Sequence, residues 1–381
     1  RPIYSLTLFG GMVGFMLFFP MIAFLFTTPY MISQYHKYGA IHTFRTLIVY
    51  SFILYLLTAY FLVILPLPSI EEVANLTTPR TQFVPFSFVT DFITHTSLRI
   101  TDPSTYIQAL KEPYFYQVIY NLLLTVPFGI YLRYYFRCSF KKTVFFTFLL
   151  TLFFELTQLT GLYGLYPRNY RLFDVDDLII NTMGGIIGYL LAGMIQKLIP
   201  TRDEIDTESY QLGQHVSCLR RIFTFGFDSF LYLLFVVGYT ICGNPNHSFF
   251  IMFIVYYFIL PLCLNGQTIC ERFFHLQIVT TDGEIVSKKG WILRRILFYV
   301  FYFLLPLLLA FLYVQISRIF KLTDFLSLAL GSCFLIGIFL FYAYSMIRFL
   351  FFKKPLLYEV LSKTKYQSTI QTDEEEIQKK A

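Results

Sequence analysis

The sequence predicts an all-α polytopic membrane protein. It has about nine transmembrane helices in two modules, with a small cytoplasmic β-hairpin in the second. Three observations predict this fold class. The 381 residues are 56% hydrophobic and 14% charged, with mean hydropathy +0.60, whereas a soluble domain carries about 25% charged residues. Apolar runs recur at the roughly 20-residue length that crosses a hydrocarbon core. Lysine and arginine gather in alternate connections between those runs.

The candidate spans are residues 8–26, 46–65, 114–132, 143–162, 178–196, 222–241, 249–264, 291–314 and 325–351. The seventh is short and ends near Pro261. His36, Lys37 and Arg45 lie between the first two spans, and Arg133, Arg137, Lys141 and Lys142 between the third and fourth. Lys197, Arg202, Arg220 and Arg221 follow the fifth. Arg272, Lys288, Lys289, Arg294 and Arg295 lie around the start of the eighth, and Arg348, Lys353, Lys354, Lys363 and Lys365 at or beyond the end of the ninth. With nine spans all of these fall on one side, which is cytoplasmic by the positive-inside rule. The N-terminus is then outside and the C-terminus inside. The net charge of +7 marks topology, and no nucleic-acid partner is expected. The six cysteines form no CxxC and no regular spacing, so they propose neither a disulfide framework nor a metal site. No cleavable signal is expected, because the first apolar run begins almost at Arg1 without a small-residue cleavage site.

The organisation follows. Residues 1–45 hold the first span and a cytoplasmic loop, and 46–196 form the first module. The outside segment 66–113 contains six prolines together with Phe83, Phe86, Phe88 and Phe92. So many aromatics disfavour a free linker, and the segment reads as a re-entrant or interfacial lid. Residues 197–219 read as a cytoplasmic linker, 220–354 as the second module and 355–381 as a cytoplasmic tail. The tail's end, Thr372 to Glu376 with Lys379 and Lys380, reads as solvated.

Charge is concentrated at one place. Arg168, Arg171, Asp174, Asp176 and Asp177 stand at the mouth of the fifth span. Asn181 and then Gly184, Gly185 and Gly188 continue one face of it. Counted at about 1.5 Å rise per residue, Asn121 of the third span and Glu155 and Gln158 of the fourth reach the same outer level. Charge at the edge of lipid is costly and marks a functional site by default. Each residue also has a plain structural reading. Asn121 and Gln158 suit interhelical hydrogen bonding, and the glycines suit close packing. One or two of the aspartates suit an N-cap.

The chemistry these residue types offer is specific. Arg168 and Arg171 can hold phosphate oxygens in a bidentate fork. Asn121, Gln158 and Asn181 can complete a substrate site. Glu155 is a candidate general acid or base, with Asp174, Asp176 and Asp177 as further catalytic candidates. The three aspartates are also candidate ligands for a divalent cation. The substrate class would be a lipid-linked phosphate compound in the membrane.

The set Val84-Pro85-Phe86, Asn121, Pro127-Phe128-Gly129, Glu155-x-x-Gln158, Arg171-x-Phe173-Asp174-x-Asp176-Asp177, Asn181 and Gly184-x-x-x-Gly188 resembles the VanZ-like membrane protein family over about residues 45–196. That resemblance implies a multi-pass protein of the bacterial cell membrane, at or near cell-wall precursors such as polyprenyl-phosphate-linked ones. It also implies a link to teicoplanin-type glycopeptide resistance. The segment from Arg220 to Lys354 resembles the RDD family domain through Arg220-Arg221, Asp228, Gly266-Gln-Thr268, Arg272 to Gly283 and Arg294-Arg295. The chain carries Cys270-Glu271 where that family usually has Gly-Lys. Asp228 is expected to pair with Arg294 or Arg295, in an ion-pair set with Arg221. Phe274, Leu276 and Ile278 alternate before the Asp282-Gly283 turn, which predicts the hairpin. Catalysis, ion-coupled transport, and lipid binding or scaffolding without catalysis all remain open at this level. No GxxxxGK[ST] occurs in the sequence.

Overall fold

The computed structural model describes residues 21–22, 25–243, 247–320 and 324–370. Most of the first expected span and the acidic end of the tail lie outside the described residues. The protein is mostly helical. Among the described residues, seven helices are long and apolar enough to cross a membrane. The chain forms two compact units: Arg1–Pro29 with Thr43–Asp206, and Tyr30–His42 with Thr207–Ala381.

The first unit is built on α1 (Thr43–Ile64), α3 (Pro113–Tyr134), α4 (Phe140–Leu159) and α5 (Val175–Ile195). Local signals set the starts. Pro113 occupies the first turn of α3, where its missing N–H costs nothing. Asp174 caps α5 by accepting from the Asp176 N–H, with Asp176 and Asp177 in the positive first turn. Pro127 lies inside α3 without ending it.

Packing of α3 on α5 is backbone on backbone. A methyl group on Gly129, Gly184 or Gly188 would overlap the carbonyl oxygen of Gly185, Leu122 or Val126 respectively. Without a hydrophobic drive between helices in lipid, such small residues let dispersion and polar contacts hold the pair. On α4 the matching stripe is Thr143, Thr147 and Thr151, all buried. Thr147 and Thr151 return their hydroxyls to carbonyls one turn back, at 2.8 and 2.9 Å. Gly185 lies directly on Thr147.

The segment 66–113 is ordered. A capping box from Ser69 and Glu72 starts the short helix Ile70–Ala74. Strand β1 (Thr81–Gln82) then pairs in parallel with β2 (Phe173–Asp174). Helix α2 (Ser87–His95) follows, then a 3-10 turn at Pro103–Thr105 and the turn of helix Tyr106–Ala109. The expected linker is also structured, as helix Arg202–Gln214. Arg45, read from sequence as a topology marker, is buried and paired with Asp206.

The second unit contains α6 (Cys218–Ile241), the shorter α7 (Ser248–Cys263), α8 (Lys288–Ile319) and α9 (Asp324–Leu350). Both α7 and α8 carry one π-helical turn, Val255–Ile259 and Val300–Leu304. The expected hairpin turn forms, but the main partner of its first strand lies elsewhere. Strand β3 (Leu276–Thr280) takes as its main partner β4 (Thr364–Ser368), antiparallel. The local turn at Asp282-Gly283 adds an isolated antiparallel bridge, Val279 to Ile285, and the Thr280 N–H donates to the Glu284 carbonyl at 2.9 Å. The expected tail therefore folds: α10 (Leu357–Ser362) and β4 belong to this unit. The tail backbone thus supplies β3 with one row of ladder partners.

The expected ion pairs are also corrected. Asp228 does not pair with Arg294 or Arg295. It accepts from the Tyr256 hydroxyl at 2.6 Å, the Thr268 hydroxyl at 2.6 Å and the Cys270 N–H at 3.3 Å. Arg221 and Arg294 instead share Glu359, each at 2.9 Å. Arg295 pairs with Glu271 at 2.8 Å. That glutamate also closes the capping box of Ile269–Phe273 with Thr268.

Candidate functional site

A cleft of about 860 Å³ opens in the first unit between α1, α3, α4 and α5. Its polar wall holds Glu155, Asp174, Asp177, Asn121, Gln158, Asn181 and Arg171. Its apolar wall holds Leu62, Leu123, Leu124 and Phe154. A smaller cavity of about 80 Å³ shares Asn121, Asp174 and Asp177 with it and adds Asp176 from α5 and Ser87 and Asp91 from α2.

Four elements deliver the polar wall. Asn121 of α3 donates its amide to the Asp177 carboxylate in the first turn of α5. Glu155 is buried on α4 and accepts the Asp174 N–H at 3.1 Å. Asn181, one turn below Asp177, is buried, and its Oδ1 has no hydrogen-bond partner. Its backbone carbonyl accepts from Thr125 at 2.5 Å. Burial pushes the Asp174 carboxyl up from its ordinary value. The Asp176 N–H opposes that shift, while the charges of Asp176 and Asp91 add to it. The result is a set of acids facing a largely apolar slot beside one guanidinium.

The remaining expected residues serve the walls. Arg171 lines the cleft and also donates to the Leu65 carbonyl at the end of α1. Arg168 does not line the cleft. Its guanidinium donates to the carbonyls of Leu76 and Thr78, the latter at 2.7 Å, and so holds the segment 66–113. Gln158 reaches the Val63 carbonyl at 3.1 Å, an interhelical contact at the cleft edge. Asp176 does not line the slot and turns instead to the start of α2. It accepts from the Phe86 N–H at 2.6 Å, the Ser87 hydroxyl at 2.7 Å and the Phe88 N–H at 2.9 Å. Asp174, Asp176 and Asp177 all line the smaller cavity, but the expected three-aspartate cation site is not formed. Among the described residues, no group of three or more His, Cys, Asp or Glu is placed to hold a metal ion.

Sequence reasoning missed Asn169. It is buried, and its amide donates to the carbonyls of Arg80 at 2.8 Å and Arg171 at 2.7 Å. It thereby fixes the loop that presents Arg171. Its place between Arg168 and Arg171 was the available signal.

The comparison with family models falls on this same region. Residues 52–196 match the VanZ/LLP1 family model. The VanZ-like segment thus contains every cleft residue named above, and its end coincides with the end of α5. No curated protein and no solved structure matches the chain. Together with the seven apolar helices, the match describes a multi-pass membrane protein with a VanZ-like segment.

Proposed function

We propose that the cleft of the VanZ-like segment is an outward-facing site for the headgroup of a lipid-linked phosphate compound, such as a polyprenyl-phosphate cell-wall precursor of a bacterial envelope. The observation that carries this reading is the pairing of a charged wall with an apolar wall in one slot. A lipid chain suits Leu62, Leu123, Leu124 and Phe154. A headgroup suits Arg171 for its phosphate, and the acids accept from its hydroxyl or amide donors. Glu155 acts as the proton-exchanging group, with Asp174 and Asp177 beside it. The family resemblance adds a contribution to teicoplanin-type resistance, through custody of that precursor. In this reading the N-terminus lies outside and the C-terminus in the cytoplasm, which the clustering of basic residues in alternate loops supports. The second unit is an RDD-like helical support.

A second reading is favoured by a specific observation. Arg171 already has a backbone partner in Leu65, and no serine, cysteine or histidine lines the cleft among the described residues. The site would then hold or move the lipid, ion-coupled or as a scaffold, without covalent chemistry. The test is native mass spectrometry with lipidomics on purified protein, wild type beside Arg171→Ala and Glu155→Gln. A phosphate-bearing lipid is expected on the wild type and lost from Arg171→Ala. If Glu155→Gln keeps that lipid but abolishes its conversion, the site is catalytic. Retention of the lipid by Arg171→Ala would overturn the headgroup assignment.

A further inference from the structure

In the second unit, a cavity of about 1100 Å³ lies at the end of α9, beneath the turn that leads into α10. Its charge is one-sided. Lys353, Lys354, Lys365 and Arg221 line it, and the single carboxylate among the described lining residues is Glu359. That carboxylate is already shared between Arg221 and Arg294. The local fold presents the lysines together. Lys353 adopts the left-handed region at φ +50°, and the Lys354 N–H returns to the Arg348 carbonyl at 3.1 Å, so consecutive lysines both line the cavity. Lys365 arrives from β4, held by its ammonium on the Thr281 carbonyl at 2.8 Å. Part of the lining is apolar, Phe349 and Leu350 from the last turn of α9. Phe351 and Phe352 beside them are 78% and 64% exposed, as aromatic rings at a membrane–water boundary are.

Topology marking explains why lysines follow a span. It does not explain why three from two elements converge on one cavity with an apolar lining. We propose that this cavity is a binding site for an anionic phospholipid headgroup, with phosphate held by Lys353, Lys354 and Lys365 and the upper acyl chain against Phe349 and Leu350. Basic pockets beside membrane helices recognise such headgroups, at about 1 kcal/mol per lysine near the surface. The site is independent of the cleft in the VanZ-like segment.

The test titrates the purified full chain in a neutral detergent with short-chain phosphatidylglycerol, short-chain phosphatidylcholine or inorganic phosphate, read by thermophoresis. Phosphatidylglycerol is expected to bind. The triple variant Lys353→Gln, Lys354→Gln and Lys365→Gln should weaken it by roughly a hundredfold. A charge-matched variant, Lys288→Gln, Lys289→Gln and Lys363→Gln, should keep it, since none of those lysines lines the cavity. Single variants at Lys353 and Lys365 carry the test if the triple variant misfolds. Equal weakening by the control variant, or equal binding of phosphatidylcholine, would overturn the proposal. Inorganic phosphate binding as tightly as the lipid would overturn the lipid source in favour of a soluble phosphate.

Discussion

The backbone N–H of Phe86 lies 2.6 Å from the carboxylate of Asp176, across 90 residues of sequence. Ser87 and Phe88 donate to the same carboxylate. This one side chain therefore ties the start of α2 to the start of α5, and with it the segment 66–113 to the mouth of the cleft.

Replacing Asp176 with alanine strands two backbone N–H groups and a hydroxyl. Hydrogen bonds to a charged group contribute more than neutral ones, and the expected local loss is roughly 2–4 kcal/mol. Hydrogen exchange in the Phe86-to-His95 stretch should accelerate strongly, while α3 and α4 keep their protection. Unchanged exchange across that stretch would remove the anchoring role of Asp176.

Gly188→Ala and Gly226→Ala should act in opposite directions. A methyl at Gly188 meets the Val126 carbonyl, so α3 and α5 must separate, at about 1–3 kcal/mol. At Gly226 nothing lies within 4 Å, and alanine gains up to about 1 kcal/mol of helix propensity. Thermal unfolding in detergent reads both. Equal melting temperatures for the two variants would contradict backbone contact between α3 and α5.

Glu359→Gln should destabilise the second unit by about 3–5 kcal/mol, because it leaves Arg221 and the buried Arg294 without their carboxylate. Asp228→Asn should cost less, because Asp228 accepts from Tyr256, Thr268 and Cys270 and forms no ion pair with an arginine. The pH dependence has a defined sign. Burial alone would raise the Glu359 carboxyl, but Arg221 and Arg294 outweigh it and hold it below its ordinary value of 4.5. The folded state therefore binds fewer protons, and the stabilisation is present above about pH 4.5. It is lost as pH falls through the lower folded value. An acid melting series on wild type and Glu359→Gln should converge below that point. A constant gap between them down to pH 3 would refute the linkage.

Much of the candidate site was legible in sequence. Asn121, Glu155, Asp177, Asn181 and Arg171 line one cleft, and depth counting along three apolar spans and the loop before the fifth sets the same residues at one level. Depth counting works because a helix rises by a fixed amount and lipid forces every span to be helical. Direction was not legible. Asp176 and Asp177 are neighbours in sequence, yet one faces the segment 66–113 and the other faces α3. Arg168 and Arg171 are three residues apart, but only Arg171 lines the cleft. These residues lie in a loop and a cap, where no fixed periodicity sets the side-chain direction.

Composition and hydropathy by themselves determined the membrane class, the approximate spans and the glycine face of α5. Each of those follows from local rules: apolar length, helix rise and the size of a side chain. Tertiary structure alone decided which acid meets which arginine, and which strand completes β3. Glu359 and β4 come from a stretch that sequence assigned to the tail. A buried charge takes whichever partner the fold brings within about 3 Å, and a strand edge takes whichever backbone reaches it. Both are long-range choices that no local pattern encodes.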